Sequence, residues 1–187
     1  MTAAPRIVPG GWREVGPGIA LLSRVFGKIS GTEPPAVFLT LGRNRRLFWG
    51  WLHFAGRLMP GGRLPRRQTE LVILRVAATC GSEYELTQHR RIGRRSGLSA
   101  DEVARVEGGG LDGWTGSDRV LLAATDELLD TEDVSDATWV ALREEYDERV
   151  VIEIVMLVGH YRMLATALRA LRVRPDRPRR RWAHVRS

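Results

Sequence analysis

From Pro17 onward apolar residues recur at three- and four-residue spacings, and no useful length alternates with period two, so the pattern predicts an all-α chain. Ile19, Leu22, Val25, Phe26 and Ile29 define one face of a first helix that Gly31 ends, and Pro34 and Pro35 suit the first turn of a short second one. A third helix is expected from Asn44 to Leu58, with Leu47, Phe48, Trp51, Leu52 and Ala55 on one face, before a turn at Pro60, Gly61 and Gly62. Pro65 opens a fourth, whose run from Leu71 to Ala78 is so continuously apolar that protein should cover it on all sides. A fifth spans Ser82 to Ser96 with Gly97 as its left-handed cap, and Ser99 then caps a sixth with Asp101 and Glu102 in its first turn. Helices from Ser117 to Asp130 and Ser135 to Tyr146 precede a long apolar one that runs from Asp147 to Leu171. Residues 1–16 read as a flexible arm, 17–171 as one all-α domain and 172–187 as an Arg/Pro-rich solvated tail.

The formal charge of +7 invites a nucleic-acid reading, but its distribution argues otherwise. Residues 169–187 alone carry +7, and the body before them is balanced, with +9 over 43–95 set against −12 over 101–148. The stretch from Gln88 to Glu107 fits a helix-turn-helix template, yet its second helix offers Asp101, Glu102 and Glu107 against Arg105 alone, a pattern that phosphates repel. No specific nucleic-acid partner is expected. No apolar run reaches the ~20 residues of a membrane span and no leader pattern opens the chain, which predicts a cytoplasmic protein without membrane contact. The lone Cys80 excludes a disulfide framework, a cysteine zinc site and an intrachain dithiol. Neither Glu-x-x-His nor His-Glu-x-x-His occurs, so no metal and no cofactor is expected.

Candidate chemistry gathers on the fifth helix. Ser82, Glu85 and His89 share one face, and Glu85 with His89 forms an i,i+4 pair whose Cβ atoms lie about 6 Å apart. A carboxylate that orients and charges an imidazole equips a proton shuttle, although the same spacing also serves a surface ion pair among Arg90, Arg91, Arg94 and Arg95. Glu70 either favours the dipole of the fourth helix or, if it faces the fifth, is a buried acid with a raised pKa. His160 interrupts the last apolar helix as a satisfied core histidine or a pocket residue, and Arg90 is a candidate for carboxylate capture.

The stretch 67–107, with Glu70, the run LVILRVAATCGSEYELTQH and then RSGLSADEVARV, resembles the carboxymuconolactone decarboxylase and alkylhydroperoxidase D-like family, as does the closing GHYRMLATALRAL. The resemblance implies an alkylhydroperoxidase D-like helical domain and a homotrimer or homohexamer, in which the +9 and −12 segments could meet between subunits. In the family's peroxidase branch the motif runs Glu, eleven residues, Cys, two residues, Cys, three residues, His. Its ends fall on Glu70 and His89, whereas its cysteines fall on Ser82 and Glu85. Cys80 is two residues out of place, about 200° around a continuous helix. The decarboxylase branch uses acid/base groups, which Glu70, Glu85 and His89 resemble, but no Tyr-x-Gly-x-Pro follows Glu107. Three readings stand: a decarboxylase-like acid/base enzyme for a small anionic substrate, a peroxiredoxin-type activity using Cys80 and an external thiol, and a noncatalytic binding protein. In the first, His89, Glu85 and Glu70 are catalytic, and Ser82, Arg90 and His160 bind substrate.

Overall fold

The computed structural model describes residues 4–179 and is helical throughout, with no strand among the described residues beyond an isolated bridge between Thr32 and Pro178. The chain divides into two compact units, residues 1–51 with 171–187 and residues 52–170.

In the first unit a short α1 (Trp12–Val15), absent from the sequence expectation, leads through Gly16 into α2 (Pro17–Ser30), and α3 (Ala36–Leu41) follows. The buried side of α2 is Ile19, Ala20, Ser23 and Gly27, while Val25, Phe26 and Ile29 are exposed, which corrects the expected apolar face. Close approach explains the inversion: a Cβ on Gly27 would stand 2.8 Å from the Glu33 carbonyl oxygen, so the small-residue side turns inward. Edge-on aromatic contacts join Phe38 to Phe26, Phe48 and Trp51 at 5.2, 5.5 and 5.9 Å. Leu47, expected beside Phe48, is exposed. The arm and tail are tied down here. Gly10 N donates to Leu39 O, Glu33 N to Arg177 O, Arg179 N to Gly31 O, and Ala36 N to the Asp176 carboxylate. The expected tail beyond Arg179 lies outside the described residues.

Helix α4 (Arg45–Leu58) carries the chain into the second unit, where α5 (Arg66–Thr79) is the central element. Every residue from Leu71 to Ala77 is buried, including Arg75, which interrupts the apolar run and is held by Gly110 O at 2.6 Å and the Asp126 carboxylate at 3.3 Å. Around α5 pack α6 (Glu83–Arg95), α7 (Ala100–Gly108) and α8 (Gly116–Asp130), with α9 (Asp136–Glu145) against α8. Leu71 and Leu74 meet Leu98, Val103, Val106, Trp114 and Leu122 in one apolar cluster. The Ser99–Glu102 capping box starts α7, and Arg67 ties α5 to Glu102 of α7 and, at 2.6 Å, to Asp118 of α8.

The last helix, α10 (Glu148–Leu171), contradicts the expectation of no span-length apolar stretch, because by length and composition alone it could cross a membrane. Its few charged residues, which include Glu153 and Arg162, sit far enough apart to leave a long apolar window. Its inward side, from Val151 through His160 and Tyr161 to Leu168, is buried. Glu153 reaches the turn before α5, accepting from Arg63 N at 2.7 Å and Leu64 N at 3.0 Å. Glycine is required at 62, where a Cβ would collide with that carboxylate. Glu153→Ala leaves these two N–H groups without their acceptor and is expected to cost about 1–2 kcal/mol in urea unfolding, part of which Glu153→Gln recovers.

Candidate active site

Three elements bring the candidate chemistry together. Glu70 lies on the first turns of α5 with no exposure to water, and His89 lies on α6, 6% exposed. His89 Nδ1 and Glu70 Oε2 are 2.7 Å apart, while Arg66, one turn before Glu70, holds Oε1 at 3.1 Å. A buried carboxylate needs such partners, and His89 and Arg66 supply one beside each oxygen. From α10, Tyr161 presents its ring edge-on to His89, centroids 5.3 Å apart, and its hydroxyl reaches Met59 Sδ at 3.7 Å. Burial, reinforced by Glu70 and Glu85, pushes the Tyr161 phenol far up, keeping it neutral.

The contact depends on a glycine. Gly93 stands one turn after His89, and a Cβ there would meet Leu98 Cδ1 at 3.0 Å and Leu74 Cδ1 at 3.3 Å, with Glu70 Cβ at 3.6 Å. Its missing side chain lets α6 lie close enough to α5 for a short hydrogen bond between the two helices.

Glu85 is placed on the same helix but not in the role expected of it. The partner of His89 is Glu70, whereas both Glu85 oxygens and the Ser82 hydroxyl are buried without a hydrogen bond of good geometry among the described residues. With only 2% exposure, Glu85 has its carboxyl pushed up to about 7 by burial, against a smaller downward pull from the nearby Ser82 hydroxyl. It is therefore a reservoir for a proton near neutrality. His160 packs edge-on against Phe54 and Tyr161, ring centroids 5.3 and 5.2 Å away, and burial pulls its pKa down to about 4.

Two expectations are corrected. Arg90 is not free to capture substrate: its Nε and Nη2 grip the Glu107 carboxylate at 2.7 and 2.6 Å on an exposed face, because one step along a helix turns it about 100° from His89. Cys80 is not on the helix of Ser82 at all. It caps the end of α5, Gly81 with φ +63 breaks the path, and Ser82 begins α6. Burial pushes the Cys80 thiol up, which disfavours a reactive thiolate. Arg66 was missed, although its i,i+4 spacing to Glu70 is the signal that could have found it. Among the described residues no cluster of His, Cys, Asp and Glu could hold a metal ion.

Residues 45–126 match the model of the carboxymuconolactone decarboxylase family. No curated protein matches the sequence. Among solved structures, an uncharacterized peroxidase-related protein from Ralstonia eutropha JMP134, described as an alkylhydroperoxidase AhpD core, is similar with TM-score 0.79 and 20% identity, covering 92% of this chain and 94% of its own. A peroxidase-related protein from Silicibacter sp. TM1040 has TM-score 0.72 and 17% identity, with 83% of each chain covered. The debrominase Bmp8 has TM-score 0.74 and 17% identity, with 90% of this chain and 91% of its own covered.

The two shifted groups bend the stability curve in opposite senses. Between about 4.5 and 7 the folded chain binds a proton at Glu85 that the unfolded chain has released, so stability falls as pH rises. Between about 6.5 and 4 the unfolded chain binds one at His160 that the folded chain refuses, so stability falls as pH drops. Glu85→Gln is expected to remove the alkaline loss, gaining up to about 3 kcal/mol relative to the parent between pH 5 and 8 in urea unfolding. Gly93→Ala is expected to cost about 1–3 kcal/mol by forcing α6 from α5.

Proposed function

From a chain whose residues 45–126 match the model of the carboxymuconolactone decarboxylase family and whose fold is alkylhydroperoxidase D-like, we propose an acid/base enzyme acting on a small anionic organic substrate. The observation that carries this reading is the buried 2.7 Å contact between His89 and Glu70, on the helix that also holds an unpaired Glu85. The fold does not choose the reaction, since it is shared with peroxidase-related proteins and a debrominase. The side chains do.

His89 Nε2 takes a proton from the substrate while Glu70, 2.7 Å from Nδ1 and paired with Arg66, stabilises the imidazolium that forms. Glu85, protonated near neutrality, returns a proton to the carbon on which the electron pair is left. Solvent exchange then resets both groups. The pair is arranged as in a hydrolytic His–carboxylate couple, but without a thiol or an activated hydroxyl beside it, proton transfer is the chemistry it fits. The Ser82 hydroxyl is read as a ligand contact rather than a nucleophile, because its neighbour is the Glu85 carboxyl, which burial holds up to about 7, and not an imidazole. A peroxidase reading has less support, because Cys80 lies off the pair and its thiol is pushed up.

Proton transfer can be sought before the substrate is known. In D2O, with a panel of small lactones and oxo-carboxylic acids, the protein is expected to exchange an acidic C–H, read by NMR. His89→Gln and Glu70→Gln should each lower the rate about 100-fold or more. Cys80→Ser should leave it unchanged. Exchange that survives His89→Gln, or that depends on Cys80, overturns the reading. The rate in the parent should also fall above pH 7 as Glu85 loses its proton, and Glu85→Gln, with no proton to return, should be slow at every pH and lack that limb.

A further inference from the structure

The ends of α5 and α10 enclose a pocket of about 400 Å3 lined by Cys80, Arg162, Thr166, Arg169 and Ala170. Its charged lining is all of one sign. Arg162 and Arg169 stand two turns apart on α10, so their Cα atoms are separated by about 10 Å along the helix. Arg169 is tethered by a hydrogen bond from Nη1 to Cys80 O at 2.7 Å, which fixes the guanidinium while leaving most of its donors unused, and it has no ion pair among the described residues. Arg162 meets only Glu132, at 3.4 Å and with the carboxylate 77% exposed, a pairing that water and salt screen strongly.

The remaining lining suits a short carbon chain between two charges. Thr166 spends its hydroxyl hydrogen on Arg162 O and retains lone pairs, and Ala170 contributes a methyl group. Burial keeps the Cys80 thiol neutral, so nothing in the lining repels an anion.

We propose that this pocket binds a small dicarboxylate of about four to six carbons, with Arg162 taking one carboxylate and Arg169 the other, each by the forked geometry that guanidinium and carboxylate share. The carboxylates of such a molecule lie about 5–8 Å apart, which two guanidiniums spaced along two helical turns can span. This deepens the anionic-substrate reading, on which its relevance to catalysis rests, and it puts anion capture on α10 in place of Arg90.

Cys80 is a built-in reporter of occupancy. With the full chain at low salt, iodoacetamide labelling of Cys80 is followed by intact mass, using glutarate as the probe. Saturating glutarate is expected to slow labelling about fivefold or more, and Arg162→Gln and Arg169→Gln should each raise the half-protecting concentration about tenfold while keeping the helical circular-dichroism spectrum of the parent. Butyrate, with one carboxylate, should need at least about tenfold more than glutarate. No protection by glutarate, equal protection in both arginine variants, or butyrate matching glutarate overturns the proposal. His89→Gln should be protected as the parent is, so failure of the acid/base reading leaves this result standing and failure here leaves the proton-exchange result standing.

Discussion

A carboxylate sealed from water is tolerated only when its neighbours replace the hydration it lost, and Glu70 sets that condition for the unit around it. Arg66 places its charge beside one oxygen from within α5, and His89 bonds the other from α6. The second partner is available only if two helices lie side by side at the right height. Gly93 permits the approach, Leu74 and Leu98 fill the space around it, and Tyr161 closes the far side of the imidazole. Removing either partner would strand a charge in a cluster of aliphatic side chains. The site and the core are thus one construction, and the ordering of the histidine follows from the solvation of the glutamate.

Much of the helical order is legible in the chain. The stretch from Leu71 to Ala77, apolar but for Arg75, could be covered only at the centre of a bundle, and Ser99 with Glu102 marks the start of α7 by chemistry that any helix obeys. The faces of α2 are not legible, because periodicity counts apolar groups and cannot see that Gly27 must approach a carbonyl. For the site, the structure brings Glu70 to His89 and leaves Glu85 outside that contact, whereas the spacing along the chain pairs Glu85 with His89. A contact at i,i+4 within one helix is visible along the sequence. The contact that forms spans nineteen positions and depends on how two helices cross. Arg90 fails for the same reason, since its partner Glu107 belongs to the next helix.

The family motif gives these differences a chemical sense. Where the peroxidase branch has two cysteines, this chain has a hydroxyl and a carboxyl, and the carboxyl is buried deeply enough to stay protonated near neutrality. The glutamate and histidine at the ends of that motif are still in contact, 2.7 Å apart. The displaced Cys80 belongs to another surface of the same unit, beside the arginines of α10. The alkylhydroperoxidase D-like fold therefore hosts two kinds of polar group here, one sealed inside the helices and one open at their ends.

The reach of Glu153 from α10 to the turn before α5 also fixes an order of events. Where α5 begins, and with it the height of Glu70 against His89, depends on a carboxylate some ninety positions later in the chain. A contact so distant in sequence is closed late, after the local turns have formed. On a ribosome, α5 and α6 emerge well before their clamp is made, so the growing chain holds an unclamped, acid-bearing apolar helix until α10 arrives.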